Sequence, residues 1–298
     1  MKFDIENYLS TKKLLVEQKL QSLLIPGEDS PTKLEESICY SVLAGGKRLR
    51  PILMLASTEA VGGDICKALP VACALEMIHT YSLIHDDLPS MDDDDLRRGV
   101  PTNHTVYGEA TAILAGDSLL TDAFYVIANE GNSCGIPPGL ITEIISDISA
   151  ASGSRGMIKG QAIDLELQGK NKVTIDQIEA MHSLKTGALI ETAVLSGAKI
   201  GGANRGQLSK LQTYANAVGL AFQIIDDVLD IEGGGEIGKS LGADARNGKS
   251  TYPELAGLVQ AKLKAAELTE QAVNVLQDFG DNALPLKEIA LYLGARNH

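Results

Sequence analysis

Two clusters of aspartate stand about 140 residues apart in a 298-residue chain, each closing an otherwise apolar stretch. The first reads Asp86-Asp87-Leu-Pro-Ser-Met-Asp92-Asp-Asp-Asp-Leu-Arg97-Arg98-Gly99 and the second Asp226-Asp227-Val-Leu-Asp230. Carboxylates this concentrated repel one another unless something cationic lies between them. Hard divalent cations suit the role, because Mg2+ prefers oxygen ligands, keeps several waters, and is usually held by one or two carboxylates together with the phosphates of a substrate. Two such clusters facing each other would clamp a diphosphate. An EF-hand is excluded, since neither Asp86 nor Asp92 opens a loop with the required ligands and central Gly.

Asp226 and Asp230, four residues apart, fall on one face of a helix, with Asp227 beside them around the turn. The residues around them (Phe222, Ile224, Ile225, Val228, Leu229) are apolar, so these acids occupy a helix that would normally be buried, where ionised groups need partners. Asp86 and Asp92 are six apart, about 600° around an ideal helix, and a straight helix would aim them to different sides. Pro89 must end or kink the helix running through Leu75, Ile78, Ser82 and His85, which lets Asp92 swing back towards Asp86. Asp93, Asp94 and Asp95 read as a solvated loop. Cations adjoin the acids: Arg97 and Arg98 follow the first cluster, and Gly45-Gly46-Lys47-Arg48-Leu-Arg50-Pro51 lies upstream. Arginine forks match phosphate oxygens, and glycines let backbone amides approach an anion closely.

The elements that position these residues are helices. Tyr214, Val218, Phe222, Ile225 and Leu229 draw one apolar stripe at three- and four-residue spacing, and no sustained alternation of period two is present. Trp is absent and aromatics are 4%, which leans away from β architectures, so the predicted class is all-α. Ser30 with Pro31 at the first helical position, the loop Gly131 to Gly139, and Gly201-Gly202 divide the chain into helices. Thr174 and Gln177 form a capping box, with Val173 and Ile178 as a hydrophobic staple, and a long helix is predicted from there to about Lys199. No break resembles an interdomain linker, so residues 1–298 are expected to form one domain.

The glycine-rich stretch Gly233 to Pro253, with Lys239, Arg246 and Lys249, reads as a mobile basic loop with little reason to be helical. Within it, Gly233 to Ser240 matches GxxxxGK[ST] literally. A P-loop, however, follows a buried strand and opens a helix, and this segment follows helical periodicity.

A formal charge of −13 disfavours binding to nucleic acid or an anionic membrane through the bulk field, so an anionic substrate must be drawn by local cations. Cys39, Cys66, Cys73 and Cys134 lack CxxC or zinc-finger spacing and are expected to be free buried thiols in a reducing compartment. The first 25 residues are studded with charges, and no uncharged apolar run of 18 residues exists, so the expectation is a cytoplasmic protein without signal peptide or membrane span.

In order along the chain, Gly45 to Pro51, Tyr81-Ser-Leu-Ile-His-Asp86 through Gly99, Gly108-Glu-Ala, Leu114-Ala-Gly-Asp117, Gly160-Gln161, Lys185-Thr186 and Phe222-Gln223-Ile-Ile-Asp226 to Asp230 resemble the short-chain trans-polyprenyl diphosphate synthases, among them the bacterial farnesyl diphosphate synthases. The resemblance spans nearly the whole chain. It implies the all-α isoprenoid synthase fold, long helices around a central cavity, and a homodimer. It implies that Asp86, Asp92 and Asp226 hold three Mg2+ on an allylic diphosphate, with Arg97, Lys185 and Lys239 in direct contact. Isopentenyl diphosphate would lie on Gly46, Lys47, Arg50, His79 and Arg98. Thr186, Gln223 and the Lys185 carbonyl would be dipoles near a carbocation, and pyrophosphate the base.

Tyr81 and Ser82, five and four residues before Asp86, sit about one turn below it, and the family pattern makes Tyr81 a floor for the growing chain. A C15 product is therefore expected. The alternative is a C10 or C20 synthase of the same fold. A class I terpene cyclase needs no second diphosphate pocket, and a non-catalytic partner subunit would not keep both aspartate clusters intact.

Overall fold

A computed structural model describes residues 3–24, 30–170, 172–233 and 250–295. The architecture is all-α: α1 (Ile5–Leu24), α2 (Lys33–Leu43), α3 (Leu49–Ala60), α4 (Ile65–Asp86), α5 (Asn103–Tyr107), α6 (Glu109–Ser133), α7 (Pro138–Ser152), α8 (Met157–Leu167), α9 (Ile175–His182), α10 (Ala188–Ile200), α11 (Arg205–Glu232), α12 (Tyr252–Ala256), α13 (Leu258–Val275) and α14 (Leu284–Gly294). A two-residue antiparallel ribbon, Leu96–Arg97 against Val100–Pro101, is the sole sheet among the described residues.

The breaks fall where the turn residues demand, with two corrections. α2 begins after Ser30-Pro31, because Thr32 is the N-cap: its hydroxyl accepts from the Glu35 amide at 3.3 Å and Glu35 reaches back to the Thr32 amide at 2.7 Å. The helix predicted from Thr174 to about Lys199 is present, with Gln177 accepting from the Thr174 amide at 3.0 Å, and the backbone stays helical from Ile175 to Ile200 through a π-helical turn over Ser183–Gly187 that joins α9 to α10. The predicted loop to Pro253 is too long, since Thr251 caps the short α12 through Glu254. Of the free thiols only Cys73 is buried; Cys66 is exposed in the first turn of α4, beside the N-cap Asp64.

α4 is the central helix, buried on most sides and packed against α6, α3 and α10. Close helix crossings rely on small residues. Gly197 of α10 lies on the Met54 carbonyl of α3, and Gly116 of α6 lies on the His85 ring of α4. Two apolar cores result. One gathers α11, α13 and α14 around Tyr214, whose hydroxyl donates to the Leu286 carbonyl at 2.8 Å; the other gathers α1, α4, α6 and α7. α3 and α10 contribute to both. Full burial of one such large side chain contributes roughly 1.5–3 kcal/mol, so the stripe on α11 is enough to seat the helix that carries the second aspartate cluster.

Candidate active site

α4 ends at Asp86, with Asp87 as its C-cap, three residues before the helix-breaking Pro89. The chain then doubles back as expected: the Asp92 amide donates to the Asp86 carbonyl at 2.9 Å, and the Met91 amide to the Leu88 carbonyl at 2.8 Å. The adjacent acids of the cluster part company. Asp87 is buried and accepts from Arg97 Nε at 2.6 Å, while Asp86 is half-buried and lies near Lys185 and Asp92. Burial pushes the Asp86 carboxyl up to about 6; Lys185 and Arg97 oppose the shift, and Asp92 and Asp87 add to it. Asp93 and Asp95 are exposed as expected, whereas Asp94 is half-buried with Oδ2 3.5 Å from Arg97 Nη2.

Lys185 sits in the π-helical turn, a feature that recurs at functional sites. Its ammonium donates to Asp164 Oδ2 of α8 at 2.6 Å. A side chain at Gly160 would collide with the Lys185 backbone, so glycine there is what lets α8 approach the turn. Asp164 was not among the sequence candidates, although it stands four residues after Gly160, one helical turn on. Gln161 has both amide atoms buried without a hydrogen-bond partner among the described residues. Thr186 is buried beside Lys185.

The second cluster is held against this turn because Gly219 of α11 meets Gly187: a Cβ there would lie 3.2 Å from the Gly187 Cα. Gln223, Asp226 and Asp230 are half-buried. Asp227 is buried, accepts from the Tyr252 amide at 2.8 Å, and lies 3.8 Å from His182 Nε2. Burial lowers the His182 imidazole to about 4; Asp164 opposes the shift and Lys185 reinforces it. Lys239 lies outside the described residues, as does the GxxxxGK[ST] match beyond Gly233. What precedes that match is the 28-residue helix α11, ending on Gly233 with φ 85°, so no strand leads into it and a P-loop is excluded.

A cluster of cations occupies the neighbouring wall. Gly45 and Gly46 have φ of 91° and 127°, and the Arg98 guanidinium packs directly on Gly46 and donates to the Gly45 carbonyl. His79 of α4 is half-buried and held well below the usual imidazole range, first by burial and then by Arg50, Arg98 and Arg97. Arg50 is lowered by burial; Glu76 and Asp226 oppose the shift, and Arg98 adds to it. Gly46, Arg50, His79 and Arg98 thus come together, with Lys47 exposed at the edge. Arg48 does something else, forming a buried pair with Glu76.

Below Asp86, Tyr81 is 5% exposed, its ring edge-on to His85 at 5.7 Å and its hydroxyl without a hydrogen-bond partner among the described residues. Burial pushes the phenol up to about 12. Ser82 is half-buried and donates to the His79 carbonyl at 2.8 Å.

Among the described residues no three metal-ligating side chains converge on one point. That suits a cation completed by substrate phosphate and water rather than a closed protein cage. The donor set is all carboxylate, and Asp86, raised chiefly by burial and further by Asp92 and Asp87, is a desolvated carboxyl whose charged form a hard cation would stabilise. The residues present therefore fit Mg2+. Two unlike clusters result, one rich in carboxylates and the other built from arginine and histidine.

The polyprenyl synthetase family model matches residues 31–284. The chain is 49% identical over 295 residues to the farnesyl diphosphate synthase of Geobacillus stearothermophilus, covering 99% of this chain and 98% of that protein. It is 47% identical over 297 residues to the geranylgeranyl diphosphate synthase of Cyanophora paradoxa, covering 99% and 98%. Its fold superposes on a crystal structure of an FPP/GFPP synthase from Zymomonas mobilis with a TM-score of 0.87 at 37% identity, covering 98% of this chain and 99% of that one. Sequence, fold and the paired clusters agree, and the chain belongs to the polyprenyl synthetase family.

Proposed function

We infer that this prenyltransferase is a farnesyl diphosphate synthase, joining isopentenyl diphosphate head to tail to dimethylallyl and then geranyl diphosphate. The observation that carries the reading is the closeness of the acidic and cationic clusters, since Arg50 is acted on by both Asp226 and Arg98. A cyclase would need only the acidic one. Tyr81, large and buried one turn below Asp86, favours a C15 stop over C20.

Asp86, Asp92 and Asp226 would hold Mg2+, which supplies charge neutralisation on the departing pyrophosphate. Lys185, fixed by Asp164, and Arg97, fixed by Asp87, add preorganised positive charge at the same group. As the allylic C–O bond breaks, its electron pair leaves with pyrophosphate and a carbocation remains. Thr186, Gln223 and the Lys185 carbonyl present dipoles to that carbon. Arg50, Arg98, His79, Gly46 and Lys47 hold isopentenyl diphosphate so that its double bond attacks, forming the new C–C bond. Loss of a proton to pyrophosphate then restores an allylic diphosphate five carbons longer. The apolar lining excludes water, which would quench the cation to an alcohol.

Two further features belong to this reading. A homodimer through α6 is supported by its outer side, where Leu114 and Tyr125 are 55% and 67% exposed. α6 is also long and apolar enough to cross a membrane by length and composition, but Asp117 and Asp122 interrupt it and its inner side packs on α4, which supports a partner helix rather than lipid. Unpaired thiols, including exposed Cys66, support a reducing cytoplasm.

Incubation with Mg2+, isopentenyl diphosphate and geranyl diphosphate, followed by chromatographic sizing, should give a C15 product. A C20 product would favour the geranylgeranyl alternative, and a cyclised hydrocarbon would reject condensation. Asp86→Ala should abolish turnover even in excess Mg2+, and substantial retained rate would move the metal site elsewhere.

A further inference from the structure

Arg48 belongs to the same basic segment as Lys47 and Arg50, yet it is 2% exposed and spends its guanidinium on partners inside the fold. Its Nη1 donates to Glu76 Oε1 of α4 at 2.8 Å, its Nη2 donates to the Val42 carbonyl in the last turn of α2 at 2.6 Å, and its Nε lies 3.6 Å from Glu17 Oε1 of α1. One guanidinium therefore ties three helices at the start of a fourth, because Arg48 is also the N-cap of α3. Its backbone is left-handed, φ 52°, following Gly45 and Gly46 at positive φ. A non-glycine residue in that region is strained and persists only where surrounding contacts over-determine it. Here the two charge-assisted hydrogen bonds do so.

The loop so held presents Gly46, Lys47 and Arg50, and Glu76 lies one helical turn before His79 on the same face of α4. Both halves of the cationic pocket thus hang on one buried ion pair. We propose that Arg48 and Glu76 are positioning residues for the isopentenyl diphosphate site, setting the register between the Gly45–Arg50 loop and His79 without touching substrate. The inference rests on the assignment of that pocket to the homoallylic diphosphate.

Replacing a buried ion pair with apolar residues of similar volume is often neutral for stability and leaves net charge unchanged. The double variant Arg48→Met/Glu76→Leu therefore removes the tie without changing net charge. With each substrate varied against a saturating partner, KM for isopentenyl diphosphate should rise about tenfold or more, while KM for geranyl diphosphate stays within about twofold and kcat within about threefold. Arg48→Lys, which keeps the charge and loses the fork to Val42, should show a smaller rise of the same kind and serves if the double variant does not fold. An unchanged KM for isopentenyl diphosphate, or equal rises for both substrates, overturns the inference. A wild-type chain that does not condense the two diphosphates overturns the underlying assignment instead, and this inference with it.

Discussion

Adjacent acids with one chemistry take different roles once their neighbours are fixed. Asp87 is buried and accepts from Arg97, and Asp227 is buried and accepts from the Tyr252 amide, whereas Asp86 and Asp226 are half-buried and Asp226 acts on Arg50 of the cationic cluster. Spacing alone does not separate such neighbours, because helical geometry puts both near the same end of a helix and only the returning chain decides which is claimed. Two predictions belong at this scale. Tyr81→Ala removes a buried ring below Asp86 and should lengthen the main product towards C20; unchanged chain length would refute the floor. His182 is the other. Its folded value of about 4 lies below the ordinary 6.5, so between those values the unfolded chain binds a proton that the folded one refuses. Stability should therefore be fully present above about pH 6.5 and fall as pH drops towards 4, by up to about 3 kcal/mol from this group. Urea midpoints at pH 7 and 4.5 should converge in His182→Gln, and an unaltered gap would reject the assignment.

At the scale of elements, local signals placed most helix ends. The Thr174–Gln177 box, the stripe on α11 and the stop before Pro89 all depend on near neighbours, and all appear where the residues put them. The π-helical turn under Lys185 was not legible, since it arises where Gly160 of α8 and Gly219 of α11 press on residues far away in sequence. Asp164 escaped notice for the same reason, its importance being the 2.6 Å bond to Lys185 across 21 positions. Crossings of this kind leave no room for a methyl group. Gly197→Ala, which would drive a Cβ into the Met54 carbonyl, should cost about 1–3 kcal/mol through overpacking. A lowered urea midpoint at unchanged slope would show it, and a neutral result would mean that α3 and α10 can slide apart freely.

For the whole molecule, a net charge of −13 leaves substrate capture to the local cations Arg50, Arg97, Arg98 and Lys185, and acceleration at low salt should be correspondingly modest. The open side of α6 is the natural place for a second copy. On the proposed homodimer, the wild type should sediment as a dimer and Leu114→Glu with Tyr125→Glu as a monomer; a dimer that survives the change would place the interface elsewhere, and a monomeric wild type would reject the proposal. Composition and periodicity by themselves determined an all-α chain, the two aspartate clusters pointed to the hard-cation diphosphate chemistry proposed above, and the ordered motifs determined the family. Those inferences rest on residue type and local spacing, which the chain carries wherever it goes. Only the tertiary structure decided which acid of each pair is buried and which half-buried, that Asp164 fixes Lys185, and that Arg48 pairs with Glu76 inside the fold. Each depends on contacts between helices distant in sequence, where burial makes an unpaired charge so costly that packing, not spacing, assigns the partner.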